Sequence, residues 1–402
     1  MNKQFNITSD LFWVGALDPN LKIFDIIMET EFGTTYNSYV LKGTNGIAIF
    51  ETVKDKFFDE YLEKLKTVVD PSAINYIIVN HTEPDHVGSV ARLLDYSKDA
   101  TVVGSAQAIK FLNQIVNAPF KSHIAKETET LSLGNKTLRF ISAPFLHWPD
   151  TIYTYIEEDK VLITCDSFGA HYCDEKLLKS ALPAEKEEDF LSAYKYYFDM
   201  IMGPFKPFVL SALDKIKDLE LAYICPGHGM ILDASNMNKY IELYRTWATP
   251  QKRDIPSIVI GYVSAYGYTA QLAQQIKAGI ESTAHNVDVL FYDLQDSDLK
   301  TVCTEITSSS GFLLGSPTIA ADTLPQIWQV LSSLNPYIHK GIKASCFGSY
   351  GWSGEAVKNI QQRLTQLRLA IPVEPLSVLF KPSETDLETA FDFGVQFANK
   401  VL

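Results

Sequence analysis

The residues best suited to chemistry lie in one hexapeptide, residues 81–86, with the sequence His-Thr-Glu-Pro-Asp-His. Its two imidazoles and two carboxylates can converge on a small volume only if the loop is irregular, and Pro84 favours this because it fixes φ and removes a donor. The apolar run 74–79 before it predicts a buried strand, and the run 87–94 after it predicts a helix. Open α/β folds bind ligands where a strand feeds a helix, so this 81–86 loop is predicted to bind metal. The alternative is a polar surface loop.

Three further candidate ligands each stand just after an apolar run that predicts a strand. They are His147, Asp166 and His228. If these strand ends share one rim of a sheet core, four histidines and three carboxylates gather there. This number is too large for one tetrahedral ion but fits two ions bridged by Asp166, with positions left open for a substrate. Nitrogen and oxygen ligands without thiolate suit iron, manganese or zinc. A single such histidine would more often be an ordinary loop residue, so the dinuclear site is predicted from the joint pattern.

The elements that must position these residues alternate between strands and helices in the first half. An Asn-Gly pair at 45–46 between two apolar runs predicts a hairpin, and the apolar spacing over 55–69 predicts a helix. Further strands are predicted at 12–14, 101–103, 137–141, 151–156, 161–164 and 222–224. The strand at 222–224 is expected to be the last of this half. Further helices are predicted at 106–116 and 186–201. The pattern indicates a mixed sheet packed on a sheet with helices outside.

The pattern changes at residues 249–256, where two prolines and a charge cluster predict a linker. After it, strand and helix alternate strictly. Strands are predicted at 258–263, 287–292, 311–314, 343–347 and 377–380, and helices at 269–282, 324–334, 355–367 and 387–401. Such alternation predicts a doubly wound parallel sheet. The chain is therefore expected to contain two domains, at 1–250 and 255–402.

Three loops of the second half follow predicted strands and are suited to hold a phosphate and a flat ring. The first combines hydroxyls, a glycine and a helix N-terminus, which is a phosphate cradle without lysine or arginine. The third places two aromatic side chains among glycines. The residues predicted to contact a cofactor are Ser264, Ala265, Tyr266, Gly267, Tyr268, Thr269, Pro317, Thr318, Ile319, Ala320, Ser349, Tyr350, Gly351, Trp352 and Gly354.

The composition excludes several classes of partner. The net charge of −13, from 35 basic and 48 acidic residues, argues against nucleic acid and anionic membrane surfaces. No signal peptide and no apolar run of membrane-spanning length is seen. The five cysteines are scattered and form no C-x-x-C pair, which suits a cytoplasmic protein with free thiols and excludes a fused four-cysteine iron module.

The pattern H-x-[HE]-x-D-H in the 81–86 loop, followed by a distant His, Asp and His, resembles the metallo-β-lactamase-like superfamily. Where the dizinc hydrolases of that superfamily have histidine at the third position, this chain has Glu83. That substitution, together with the second half, resembles the flavodiiron proteins (A-type flavoproteins) over essentially the whole chain. The resemblance implies an α/β fold, with an N-terminal metallo-β-lactamase-like αββα sandwich followed by a C-terminal flavodoxin-like doubly wound parallel sheet.

The resemblance also implies two irons and one FMN. One iron would take His81, Glu83 and His147, the other would take Asp85, His86 and His228, and Asp166 would bridge. A carboxylate in place of an imidazole makes the site harder and more anionic, which suits iron redox cycling better than zinc. Members of the family often carry asparagine where this chain has Ala320, so one hydrogen bond to the flavin is expected to be missing or to come from another residue.

The implied activity is electron transfer from an external donor through FMN to the diiron site, which reduces O2 to water, NO to N2O, or both. The implied donor is a rubredoxin-like protein or a reduced deazaflavin, and the implied assembly is a head-to-tail homodimer or a dimer of dimers. The sequence leaves the preference between O2 and NO open. The alternatives are a dinuclear-metal hydrolase with an accessory flavin domain, an electron carrier with structural metals, and a second domain without cofactor, such as a receiver domain.

Two residues outside the ligand set are candidates for proton supply. His171 follows Asp166 closely enough to line the pocket, although a structural role is the alternative. Tyr194 lies on the predicted helix 186–201 and could point its hydroxyl at the metals, with core packing as the alternative.

Overall fold

The computed structural model describes residues 5–250 and 254–402. The chain forms two compact units, Met1–Thr249 and Pro250–Leu402, as expected for a chain too long for one core. Residues 251–253 of the predicted linker lie outside the described residues, and the domain limits 1–250 and 255–402 stay predictions. None of the helices in the described ranges is long and apolar enough to cross a membrane.

Two large mixed sheets dominate the first unit. Its strands are β1 (Phe5–Asn6), β2 (Leu11–Trp13), β3 (Ala16–Asp18), β4 (Ile23–Phe24), β5 (Met28–Glu29), β6 (Thr34–Tyr36), β7 (Tyr39–Lys42), β8 (Ile47–Phe50), β9 (Tyr76–Ile78), β10 (Thr101–Gly104), β11 (Lys121–Ile124), β12 (Thr130–Ser132), β13 (Thr137–Ser142), β14 (Ile152–Ile156), β15 (Val161–Cys165), β16 (Tyr223–Pro226) and β17 (Leu232–Asp233). One sheet has the order β1-β2-β7-β8-β9-β10-β11 and the other β12-β13-β14-β15-β16-β17. Two small pairs, β3 with β6 and β4 with β5, stand apart from both.

Helices cover the outer faces of both sheets. They are α1 (Phe58–Lys66), α2 (Pro84–Val87), α3 (Val90–Tyr96), α4 (Ala106–Val116), α5 (Glu187–Tyr197), α6 (Lys206–Ile216) and α7 (Met237–Ala248). Along β8, Ile49 joins the core under the helices while Phe50 joins the core between the sheets, as the alternation of a strand requires. The same alternation in the second sheet completes an αββα sandwich, which confirms the predicted fold class.

Several predicted elements of this unit match and others need correction. The hairpin is present, with Val40 opposite Ile49, and α4 has the predicted bounds. The strand predicted at 222–224 is present, but it is not the last strand of this unit as predicted, because β17 follows it and pairs with it. With two residues, β17 is too short to show an alternation of apolar and polar residues in the sequence. Helices α6 and α7 were not predicted. Helix α5 ends at Tyr197 and continues as the π-helical turn Phe198–Met202 before Gly203 and Pro204.

The second unit is a five-stranded parallel sheet with helices on both faces. Its strands are β18 (Ser257–Tyr262), β19 (Asp288–Asp293), β20 (Gly311–Gly315), β21 (Lys343–Tyr350) and β22 (Leu376–Leu379), and its helices are α8 (Tyr268–Glu281), α9 (Leu299–Ser308), α10 (Pro325–Ser333), α11 (Glu355–Gln366) and α12 (Glu384–Val401). Helix α9, capped by Asp298, was not predicted. The order β19-β18-β20-β21-β22 is that of flavodoxin-like sheets, and its switch point lies between β18 and β20.

Candidate metal centre and flavin loops

The strand ends converge because of their directions. Strands β15 and β16 are parallel, and β13 runs the same way because it is separated from β15 by the antiparallel β14. Their carboxyl ends therefore lie at one edge of the second sheet, and these ends precede His147, Asp166 and His228. In the first sheet, the parallel strands β8 and β9 end just before Glu51 and the 81–86 loop.

The 81–86 loop is irregular only in its first part. Helix α2 begins at Pro84, where a missing N–H costs nothing, and not at residue 87 as predicted. Glu83 stands at the N-cap position but makes no capping hydrogen bond with its side chain, so its carboxylate is free for another partner. The single helical turn then places the side chains of Asp85 and His86 in the interior, where both are almost fully buried.

Two residues that the sequence reasoning missed clamp the 81–86 loop at its ends. The Glu51 carboxylate accepts a hydrogen bond from Asn80 N at 2.7 Å, and Thr52 donates from N and Oγ1 to the His86 carbonyl at 2.7 and 2.6 Å. Glu51 has a left-handed φ of 56°, and burial raises its pKa to about 8. An acid directly after an apolar strand was the available signal.

A first group of donors brings together His81, Glu83, His147 and Asp166, whose ligand atoms all lie within 4.8 Å of one another. His147 Nε2 is 2.9 Å and His81 Nε2 is 3.3 Å from Glu83 Oε2. Asp166 Oδ2 lies 3.3 Å from His81 Nε2 and 3.4 Å from His147 Nε2.

A second group brings together Asp85, His86 and His228. Asp85 Oδ2 is 3.0 Å from His228 Nε2, and His86 Nε2 lies 3.1 Å from Asp166 Oδ1. The two oxygens of Asp166 thus face different groups, Oδ2 the first and Oδ1 the second. All seven predicted ligands are gathered, with Asp166 between two sets of donors, which is the arrangement a bridging carboxylate needs.

The chemistry of the donors fits two hard-to-borderline cations. Among residues 5–250 and 254–402, neither oxygen of the buried Asp85 carboxylate has a hydrogen-bond donor, a costly condition that a cation relieves. His228 Nδ1 lies 2.6 Å from the Thr35 carbonyl, which only accepts, so Nδ1 carries the proton and Nε2 offers its lone pair. Cys165 also approaches His86, and burial raises the pKa of its thiol well above its usual range.

The charges of the cluster are balanced by proton sharing when no metal is bound. Burial would lower the pKa of His86, but Asp85 and Asp166 outweigh it and raise that pKa to about 10. In the same way, hydrogen bonds to Asp166 and Glu83 raise the pKa of His147 to about 9 against the effect of burial. A metal must displace these protons, so metal binding is expected to release them.

Of the two proton-supply candidates, Tyr194 is not brought to the cluster, which corrects its predicted role. Its ring packs among the aromatic side chains of α7, and its hydroxyl lies 3.4 Å from the Tyr240 carbonyl. The helix was predicted correctly, but Tyr197, three residues after Tyr194, is the tyrosine whose hydroxyl reaches the cluster. Tyr197 Oη donates to Asp166 Oδ1 at 3.0 Å, and both side chains are buried.

His171 does lie beside the second group. Its ring centroid is 5.3 Å from that of His228 and 4.9 Å from that of Tyr197. Nδ1 pairs with Thr34 Oγ1 at 3.0 Å, while Nε2 is buried without a partner among the described residues. Burial, and then His228, hold the pKa of His171 well below its usual range, so the ring is neutral and has one unused polar atom.

The small β4–β5 hairpin forms a wall beside the second group. Phe24 is buried, with its ring centroid 4.3 Å from that of His171 and 5.4 Å from that of His228. At the tip, burial and the neighbouring Glu83 raise the pKa of Asp25 to about 6. This wall could not be predicted from the sequence, because strands of two residues are too short to show an alternation of apolar and polar residues.

The three loops of the second unit are joined to one another at the carboxyl edge of its sheet. Thr269 Oγ1 lies 2.9 Å from Ser349 Oγ, which joins the first loop to the third. Thr318 N donates to the Ser349 carbonyl at 3.0 Å, and Thr318 Oγ1 accepts from Ala356 N at 3.2 Å, which joins the second loop to the third. Ala320 has a left-handed φ of 54°, a conformation that asparagine adopts more readily.

These loops fit a phosphate and a flat ring. Ser264 Oγ accepts from Ala270 N at 3.1 Å, and the first N–H groups of α8 have no partner within the helix and can face an anion. Gly267, at the N-cap, has φ of 81°, which a glycine adopts without strain. Two large aromatic side chains stand almost wholly exposed, Tyr266 at 84% and Trp352 at 97%, so their faces are free to stack.

Two family models match the chain, one on each unit. The model described as ODP family beta lactamase matches residues 34–229, and the flavodoxin model matches residues 260–394. The chain is 40% identical to a flavo-diiron protein of Clostridium acetobutylicum, over 98% of this chain and 99% of that protein. It is 33% identical to a nitric oxide reductase of Moorella thermoacetica, with the whole of both chains covered.

Solved structures show the same combination of folds. The rubredoxin oxygen:oxidoreductase of Desulfovibrio gigas is 26% identical, with a TM-score of 0.68 and coverage of 99% of this chain and 98% of that chain. The flavodiiron protein of Giardia intestinalis is 27% identical, with a TM-score of 0.67 and coverage of 99% and 96%.

Proposed function

The chain belongs to the flavodiiron proteins and is an FMN- and diiron-dependent oxidoreductase, and from that premise we propose that it reduces O2 to water, NO to N2O, or both. The observation that carries the proposal is the pair of donor groups on either side of Asp166. The names of two relatives, a nitric oxide reductase and a rubredoxin oxygen:oxidoreductase, support both substrates.

In the proposed centre His81, Glu83 and His147 would hold one iron, and Asp85, His86 and His228 would hold the other. Asp166 would be shared between the two, which is supported by its two oxygens facing different donor groups. Bound iron supplies electrons and open coordination positions for a diatomic substrate.

The residues around the ligands control protons and water. Tyr197 keeps its hydroxyl proton because burial, and then Asp166, hold its pKa well above its usual range, and it donates that proton to Asp166 Oδ1. His171 Nε2 has no partner in the part of the chain that the structure describes, so we propose that it makes one hydrogen bond to the substrate. Phe24 keeps the same side of the pocket apolar.

The second unit is proposed to hold FMN through the three loops 264–269, 317–320 and 349–354. The phosphate would lie at the N-terminus of α8, and the flavin ring would stack against Tyr266 or Trp352. We propose a head-to-tail homodimer, or a dimer of dimers, in which the flavin of one copy serves the metals of the other. The donor would be a rubredoxin-like protein or a reduced deazaflavin.

We also propose a cytoplasmic location, and we propose that neither nucleic acid nor a membrane is among the partners. The location is supported by five cysteines that are all free thiols. The negative net charge of −13 supports the exclusion of nucleic acid.

The hydrolase alternative is disfavoured. A metal-bound hydroxide could attack an ester at a dinuclear site. Glu83, however, adds a carboxylate where the hydrolases have an imidazole, and a hydrolase has no use for the flavodoxin-like unit.

The substitution His147→Ala tests the proposal against an electron carrier with structural metals. Gas reduction should vanish while reduction of FMN by the donor survives, because only the donor group of the first iron is broken. His123→Ala is the matched control, since the His123 side chain is exposed and, among the described residues, hydrogen-bonds Glu129 and none of the proposed ligands. Unchanged O2 and NO consumption by the His147→Ala protein would refute a catalytic metal centre.

A further inference from the structure

Asp150 is a fully buried carboxylate beside the first donor group that is not part of it. Its Oδ2 lies 3.3 Å from Nδ1 of His81, whereas Nε2 of the same ring faces Glu83 and Asp166. The ring therefore stands between Asp150 on one nitrogen and the donor group on the other. Among the described ligands of the proposed centre, the hydrogen-bond partner of Asp150 is His81.

The hydrogen bonds of Asp150 Oδ2 determine which nitrogen of His81 carries the proton. Thr82 donates to this oxygen from N at 2.8 Å and from Oγ1 at 2.9 Å. A main-chain N–H can only donate, so Oδ2 acts as an acceptor and meets His81 Nδ1 as an acceptor too. When the ring is neutral, its proton therefore lies on Nδ1, and Nε2 is the nitrogen that offers a lone pair to a metal at the donor group.

Asp150 is itself held in place through its own main-chain carbonyl. Its carbonyl accepts a hydrogen bond from Ser105 Oγ at 2.7 Å, and Ser105 also caps the N-terminus of α4. The ligand His147 lies three residues before Asp150 in the same segment. One short segment thus supplies one histidine to the first group and orients the other.

The second donor group uses a different device for the same purpose. His228 Nδ1 donates to the Thr35 carbonyl at 2.6 Å, a neutral acceptor in the main chain. A change at Asp150 should therefore disturb the first group and leave the second group intact.

On the premise of the proposed function, we propose that Asp150 is the positioning residue for the first iron. It fixes the ring orientation of His81 and the tautomer that the neutral ring adopts, so that Nε2 is the nitrogen that would face the metal. Hydrogen-bond partners of this kind raise the basicity of a ligand histidine, and their loss costs roughly 10- to 100-fold in metal affinity.

Two substitutions of Asp150 separate charge from hydrogen bonding. Asp150→Asn keeps the shape and a neutral acceptor, while Asp150→Leu removes the acceptor and leaves Thr82 N and His81 Nδ1 without a partner. The holoprotein is titrated with a ferrous chelator, and iron remaining per chain is measured. We expect one iron to leave at roughly 10- to 100-fold lower chelator activity in Asp150→Asn, and lower still in Asp150→Leu, while the other iron leaves as in the wild type.

Asp159→Asn is the matched control. Asp159 is also largely buried, with one oxygen bonded to Lys136 and the other without a donor, but it is not part of any donor group of the described residues. It should retain both irons. Loss of both irons together in Asp150→Asn, or no change in either, would overturn the role of Asp150. A wild-type protein that binds no iron would overturn the proposed function itself.

Discussion

The hydroxyl of Tyr197 offers the sharpest test of how the centre is built. Tyr197→Phe removes one oxygen and keeps the ring, which lies 4.9 Å from His171 and 6.1 Å from His228 between centroids. The lost hydrogen bond, 3.0 Å long, ends on the carboxylate of Asp166, which the surrounding histidines keep ionised by holding its pKa well below its usual range against the effect of burial.

The magnitude follows from the charge of the acceptor. A hydrogen bond to a charged group contributes about 1.5–3 kcal/mol to stability. His86 Nε2 remains 3.1 Å from the same oxygen, so Asp166 is not left unpaired and the loss should not exceed that range. For a unit of this size the loss corresponds to a fall of roughly 3–12 °C in unfolding temperature.

Tyr194→Phe is the matched control on the same helix. Its hydroxyl meets only neutral groups, the Tyr240 carbonyl at 3.4 Å and the Tyr244 hydroxyl, so its loss should cost about 0.5–1.5 kcal/mol. Calorimetric unfolding of both variants, stripped of metal so that iron does not mask the difference, compares the two directly. If Tyr194→Phe lowers the unfolding temperature as much as Tyr197→Phe, the hydrogen bond to Asp166 does not support the centre.

Three further predictions concern the ligands and the flavin. In the folded protein the pKa of His86 is about 10 and that of His147 is about 9, whereas an unfolded histidine has a pKa of about 6.5. The stability that these two protonated histidines contribute is therefore complete below about pH 6.5 and is lost as the pH rises through the folded values. Calorimetry of metal-stripped protein should therefore show the unfolding temperature falling from about pH 6.5 to about pH 9, and a rise over that range would contradict the protonated cluster. Gly227→Ala would place a Cβ 2.7 Å from His86 Cε1, so iron analysis should show loss of the second iron with FMN retained; two retained irons would mean that His86 is not a ligand. Thr269→Val breaks the link to Ser349 and should weaken FMN binding, measured by fluorescence titration, by about two- to tenfold with iron content unchanged; equal affinity would remove this loop from the FMN site.

The fold and the positions of the ligands were readable because they depend on local signals. Apolar runs marked the strands, and ligating side chains stood directly after them, as His147 does after β13. Parallel strands carry such residues to one edge, so seven side chains from four separate segments could be predicted to gather. The Asn-Gly turn likewise fixed the hairpin through backbone conformation alone.

The surroundings of the ligands were not readable because they depend on packing between distant segments. Tyr194 and Tyr197 have the same chemistry on one helix, and only the rotation of that helix against the sheet decides which one reaches Asp166. Asp150 and His81 are 69 residues apart in the sequence, so no local pattern predicts that their side chains meet. The hairpin that carries Phe24 is too short for any pattern.

Metal and flavin analysis of the purified protein, followed by O2 and NO consumption with a reduced donor, tests the central claim most directly. The two donor groups and the three loops predict about two irons and one FMN per chain, with both contents required for gas consumption. A protein that contains only zinc, or that consumes neither gas when fully loaded and reduced, would contradict the account.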